Sequence, residues 1–101
     1  MVEKVEFLKP AEMEFEDAVD FYNQQASGLG YEFAIEVKKS LERIIKYPDS
    51  WTKISNQTRK CKCKRFPYNI VYYQHRSSII VVAIMHTKRK PKYWIERLKE
   101  S

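Results

Sequence analysis

Apolar side chains recur at Ala11, Phe15, Ala18, Val19 and Tyr22, while Glu12, Glu16 and Asp20 fall off that stripe. Steps of three and four predict an amphipathic helix with one buried face, its acids gathered toward the N-terminal end where the helix dipole favours them. Pro10 fits the first turn, where a missing N–H costs nothing. Upstream, Val2 to Leu8 alternates Val5 and Phe7 with Glu6, the period of a short strand. Ser27-Gly28-Leu29-Gly30 breaks the helical pattern and holds both glycines of the chain, as a tight reversal requires. A second helix follows from Leu29 to Lys46, with Phe33, Val37, Leu41, Ile44 and Ile45 inward, and Tyr47-Pro48 stops it.

After a connector holding Trp51 and Ile54 the period falls to two. Three strand-like runs result, Arg59–Arg65, Tyr68–His75 and Ser78–Thr87, the last two joined by a hairpin at "HRSS". The run Ile79–Met85 is apolar on both faces, which predicts a central strand covered on both sides. Pro91 opens a final short helix over "PKYWIERLKE". The order β-α-α-β-β-β-α predicts an α+β fold: an N-terminal strand, a helical hairpin packed on an antiparallel β-sheet meander, and a short C-terminal helix. With 101 residues and neither linker nor repeat, residues 1–101 are expected to form a single domain.

Charge alters this neutral picture. Residues 1–50 carry 6 Lys and Arg against 11 Asp and Glu, and residues 51–101 carry 13 against 2, so a chain of net charge +6 is acidic in its first half and strongly basic in its second. The basic half predicts a polyanionic partner. No apolar run approaches the ~20 residues of a membrane span, and the N-terminus "MVEKVEFLKP" has no secretory pattern, so no membrane association and a cytoplasmic location are expected.

Candidate chemistry concentrates in "RKCKCKRFPY". On an extended strand Lys60, Lys62 and Lys64 share one face and Arg59, Cys61, Cys63 and Arg65 the other. The lysine row is either a solvated edge or a track for phosphates. A zinc site would draw on Cys61, Cys63, His75 and His86 without a C-x₂-C pair, so the cysteines read as small buried apolar residues and no metal is expected. "HTKRKPKYW" adds Lys88, Arg89, Lys90 and Lys92 beside Tyr93 and Trp94, a mixture of cations and rings that suits single-stranded RNA. Trp94 by itself reads as the core anchor of the last helix. His86, ending the apolar strand, is either a hydrogen-bonded core residue or a general acid or base.

The segments "FYNQQASGLGYEFAIEVKKSLERIIKYPDSW" and "RFPYNIVYYQ", followed by "IIVVAIMHTKRKPKYW", resemble the RelE/ParE toxin superfamily of bacterial type II toxin–antitoxin systems over nearly the whole chain. The resemblance implies a small basic toxin neutralised by a cognate antitoxin, with no small-molecule cofactor. It also implies one of two actions. RelE-like members cleave mRNA on the ribosome with strand lysines, two arginines and a tyrosine; ParE-like members inhibit DNA gyrase and lack that set. Lys60 and Lys62 match the strand lysines, Arg89 the later arginine, and Tyr93 stands near the tyrosine, with Tyr93 or His86 as acid or base. Lys64, Arg65, Lys88, Lys90 and Lys92 would then contact nucleic acid or another target. Asn69 occupies the place of the central arginine, and an amide cannot offer a bidentate positive charge to phosphate. That departure and the F-P-Y and H-x-K-R-x-P signatures favour the ParE-like branch, with a ribosome-dependent endoribonuclease or a degenerate toxin that keeps only antitoxin binding as alternatives.

Overall fold

The two apolar stripes become helices α1 (Lys9–Gln25) and α2 (Leu29–Lys46) in a computed structural model that describes residues 1–100. Ser101, the last residue of the expected domain, lies outside the described residues. Gly28 turns the chain between the helices at φ +84, a left-handed conformation that L side chains resist. Gly30 does different work. A Cβ there would stand 2.3 Å from the Val19 carbonyl oxygen and 2.6 Å from the Asn23 side chain, so only glycine lets the second helix start this close to the first. Asn23 Oδ1 then accepts the Gly30 N–H at 2.8 Å.

The sheet has the order β1-β5-β4-β3-β2, from β1 (Lys4–Phe7), β2 (Thr52–Lys53), β3 (Arg59–Lys62), β4 (Tyr68–His75) and β5 (Ser78–His86). The β3-β4-β5 meander is antiparallel, as the pattern predicts. β1 joins it in parallel beside β5, Val5 opposite Ile79, and the two-residue β2, which has no legible alternation, extends the far edge. On one face Ile70, Tyr72, Ile79, Val81 and Ile84 pack with Cys61, Cys63 and the helical residues Phe33, Val37 and Ile44. On the other, Val71, Val82, Ala83 and Met85 are covered by the C-terminal segment through Trp94, with Tyr93, Ile95 and Leu98 around it. β5 is thus covered on both sides, and Trp94, 1% exposed, is the anchor. Removing such a ring costs roughly 3–5 kcal/mol, enough to hold a short tail on the sheet.

Two boundaries differ from the sequence pattern by more than the one or two residues seen at the other element ends. β3 ends at Lys62, so Lys64 and Arg65 lie in the turn to β4, where Arg65 has φ 69. The C-terminal helix does not begin at Pro91: Lys92 takes φ 64, which no right-handed helix accommodates, and only Ile95–Glu100 winds, as a 3₁₀ helix. Cys61 and Cys63 are free thiols buried against the helices, and burial pushes both up from the ordinary cysteine range.

Candidate functional site

Pairing fixes which side chains share a face. Lys60 lies opposite Val71 and Lys62 opposite Asn69, which in turn lies opposite Met85, so these three project on the side covered by the tail. Lys60 and Lys92 line a cavity of about 240 Å³ there, with Ile54, Met85, Pro91 and Trp94. One lysine of the middle strand and one of the tail therefore do converge. Lys62 is spent locally: its Nζ donates to the carbonyls of Cys63 at 3.0 Å and Phe66 at 3.1 Å, closing the β3–β4 turn. Asn69 is buried beside it.

His86 faces the other way. Its ring meets Tyr68, which packs on Phe33 under the helices, and its Nδ1 accepts the Lys88 N–H at 3.0 Å. With Arg89 it lines a groove against α1 whose remaining charged walls are Glu14 and Asp17. Two carboxylates beside one guanidinium leave this groove poorly suited to an anion. Lys88 and Lys90 are exposed on the turn between the two regions.

Tyr93 joins the tail to α1. Its hydroxyl donates to Glu14 Oε2 at 2.6 Å, and the Arg89 guanidinium lies 3.8 Å over its ring. Burial and the Glu14 hydrogen bond raise its pKa far above the ordinary phenol range, so near neutrality the group is a donor and not a base. Glu14 also accepts two bonds from Arg97, Nη1 to Oε1 and Nη2 to Oε2, each 2.9 Å, and the main-chain N–H of Ile84 at 3.1 Å. Arg97 Nη1 in turn donates to the Val82 carbonyl at 2.9 Å. β1 pairs with β5 only as far as Val81, so Glu14 and Arg97 satisfy main-chain groups along the edge that β1 leaves open.

The β3–β4 turn has a matching clasp. Glu36, buried on α2, accepts the Lys64 N–H at 2.6 Å, Ser40 Oγ at 3.2 Å and Arg43 Nη2 at 3.3 Å. Burial would raise this carboxyl, but those three donors outweigh it and hold it below the ordinary glutamate range. Arg65 forms an exposed pair with Glu32 at 2.7 Å, and Lys64 projects into solvent. Glu14, Glu36 and Arg97 were not singled out by the sequence pattern, although a signal for the acids was present. Glu14 occupies the Ala11-Phe15-Ala18 stripe and Glu36 the Phe33-Val37-Ile44 stripe, where a carboxylate must find a partner.

The candidate acids, bases and cations thus occupy three places: Lys60 with Lys92 under the tail, His86, Arg89 and Tyr93 around Glu14 of α1, and Lys62, Lys64 and Arg65 around one turn. Among the described residues no group of three or more His, Cys, Asp or Glu is placed to hold a metal ion, and no helix is long and apolar enough to cross a membrane.

Residues 5–91 match a family model described as "ParE toxin of type II toxin-antitoxin system, parDE". In structure the chain is similar to a protein described as "Chromosomal ParDE TA system from P. aeruginosa", with a TM-score of 0.73 over 84% of this chain and 96% of that one. The two are 9% identical, so the likeness is one of fold. No curated protein matches the chain in sequence.

Proposed function

Because the chain belongs to the ParE toxin family of type II toxin–antitoxin systems, we propose that it is the toxin half of such a pair, neutralised by a cognate antitoxin in the cytoplasm and acting by binding DNA gyrase. The observation that carries this over ribosomal mRNA cleavage is the separation of the strand lysines Lys60 and Lys62 from His86, Arg89 and Tyr93, which gather around Glu14. Attack by a 2′-hydroxyl requires a base, an acid and cations around one phosphate. Here Tyr93 is held by Glu14, Lys62 by the turn carbonyls, and His86 lies across the sheet from Lys60. Asn69 supplies no charge where an arginine would. Loss of one well-placed electrostatic contact costs ~10²–10³ in rate, and several are displaced at once. What remains is a basic tail surface suited to holding a target.

The test is expression without the antitoxin, followed by DNA supercoiling and by mapping of mRNA ends at ribosomes. Inhibited supercoiling with intact mRNA is the expected result, relieved when the cognate antitoxin is supplied. Cleaved mRNA that disappears in Arg89→Ala would overturn the reading in favour of the endoribonuclease. Asn69→Arg is expected to add no cleavage, because the new guanidinium would stand opposite Lys62.

A further inference from the structure

A further cavity lies away from both the tail surface and the groove against α1. It occupies about 400 Å³ at the end of the sheet remote from the tail, where β4 runs past the start of β3. Three cations face it: Lys53 on β2, Arg59 on β3 and Arg76 in the β4–β5 turn. Lys53 and Arg59 are direct cross-strand neighbours, and like charges placed opposite each other destabilise a ladder. None of the three forms an ion pair among the described residues, although Asp49 belongs to the same wall.

Arg76 adds a second anomaly. It holds φ 56 at the first position of a two-residue hairpin turn, where glycine or asparagine fits without strain. The turn thus carries a cation at a position where glycine would be free of strain.

The walls are already ordered. Arg59 Nη1 donates to the Trp51 carbonyl at 2.9 Å, and the Tyr72 hydroxyl to that of Pro48 at 2.6 Å. The β2–β3 loop is closed by Ile54 N–H to the Thr58 carbonyl at 2.9 Å and Thr58 N–H to Ser55 Oγ at 3.1 Å. Asn56, Gln57 and Gln74 bring amides, each both donor and acceptor, to the same space.

We infer that this cavity is a binding site for a free nucleotide, its phosphates held by Lys53, Arg59 and Arg76 and its uncharged part by the amides. The volume falls in the range of small-ligand sites, and a phosphate ester is the anion that three cations lining one cavity without ion-pair partners would recognise. The inference does not depend on the gyrase reading, since no residue is shared with the tail surface.

The test is calorimetric titration of the full chain at low salt with adenosine and guanosine 5′-diphosphates, and separately with inorganic phosphate. Saturable one-to-one binding of at least one diphosphate is expected, with inorganic phosphate at least tenfold weaker. Lys53→Gln should weaken binding roughly tenfold. Arg76→Asn should do the same while leaving the melting temperature unchanged or higher, because asparagine tolerates the turn. That outcome separates lost recognition from lost folding. Lys38→Gln, on the exposed side of α2, controls for general charge. No saturable binding, equal affinity for inorganic phosphate, or an equal loss in Lys38→Gln would each overturn the assignment.

Discussion

Replacing Glu14 by alanine removes one carboxylate and strands three donors. The Ile84 N–H loses its acceptor, the Tyr93 hydroxyl loses a 2.6 Å bond, and the Arg97 guanidinium loses both of its 2.9 Å bonds. An exposed ion pair contributes about 0–1 kcal/mol, whereas breaking a buried pair from one side costs about 3–5 kcal/mol. The Glu14 and Arg97 side chains are each 19% exposed, which places them between these limits at about 2 kcal/mol, with the orphaned N–H adding about 1 kcal/mol. A loss of about 3 kcal/mol is expected, a large share of the ~5–15 kcal/mol that holds a domain together. With a urea slope near 2 kcal/mol/M the unfolding midpoint should fall by about 1.5 M. Two further readouts identify the cause. Amide exchange at Ile84 should accelerate more than at its neighbours. The double variant with Arg97→Ala should lose about 2 kcal/mol less than the sum of the single losses. A loss below about 1 kcal/mol that adds to that of Arg97→Ala would refute the idea that this pair seals the strand edge.

The glycines should separate by mechanism. Gly30→Ala forces a methyl onto the Val19 carbonyl and should cost about 2 kcal/mol or more in thermal unfolding, whereas Gly28→Ala, with nothing within 4 Å, should cost about 1 kcal/mol through its positive φ alone. Glu36→Gln should show a pH signature. The folded carboxyl sits below its unfolded value, so its stabilisation is present above the unfolded pKa and is lost as pH falls through the folded one. The stability gap between parent and variant, measured by urea melts across pH, should be widest near neutrality and close on acidification. Lys62→Met should lower stability by about 1 kcal/mol through the β3–β4 turn, while Lys60→Met, which makes no comparable bonds, should stay within about 0.5 kcal/mol; equal losses would contradict the role given to Lys62.

The regular elements were legible because their burial is one-sided. The α1 and α2 stripes and the apolar run of β5 carry period and length in the residues themselves. β2 was not legible, since two exposed residues hold no alternation and pair only because β3 offers an edge. The backbone of the tail also hides from sequence: Lys92 takes φ 64 just ahead of the buried Trp94, and the helical spacing read from Pro91 onward winds only from Ile95, as a 3₁₀ helix. For the site, residue types were informative and neighbourhoods were not. The alternation correctly turned Cys61 and Cys63 inward and Lys60 and Lys62 outward. It gave no sign that Lys62 would fold back onto carbonyls, or that strand register would set His86 on the opposite face.

Each helix reaches the sheet with one acid, Glu14 at the open margin of β5 and Glu36 at the β3–β4 turn. Two such rivets, at separate points, prevent the helical hairpin from pivoting on the strands beneath it. Any guest that touches both layers therefore meets a rigid template whose shape is set before contact. The entropy of association then falls on the guest, which favours an unstructured segment that moulds itself to the surface over a partner that demands rearrangement.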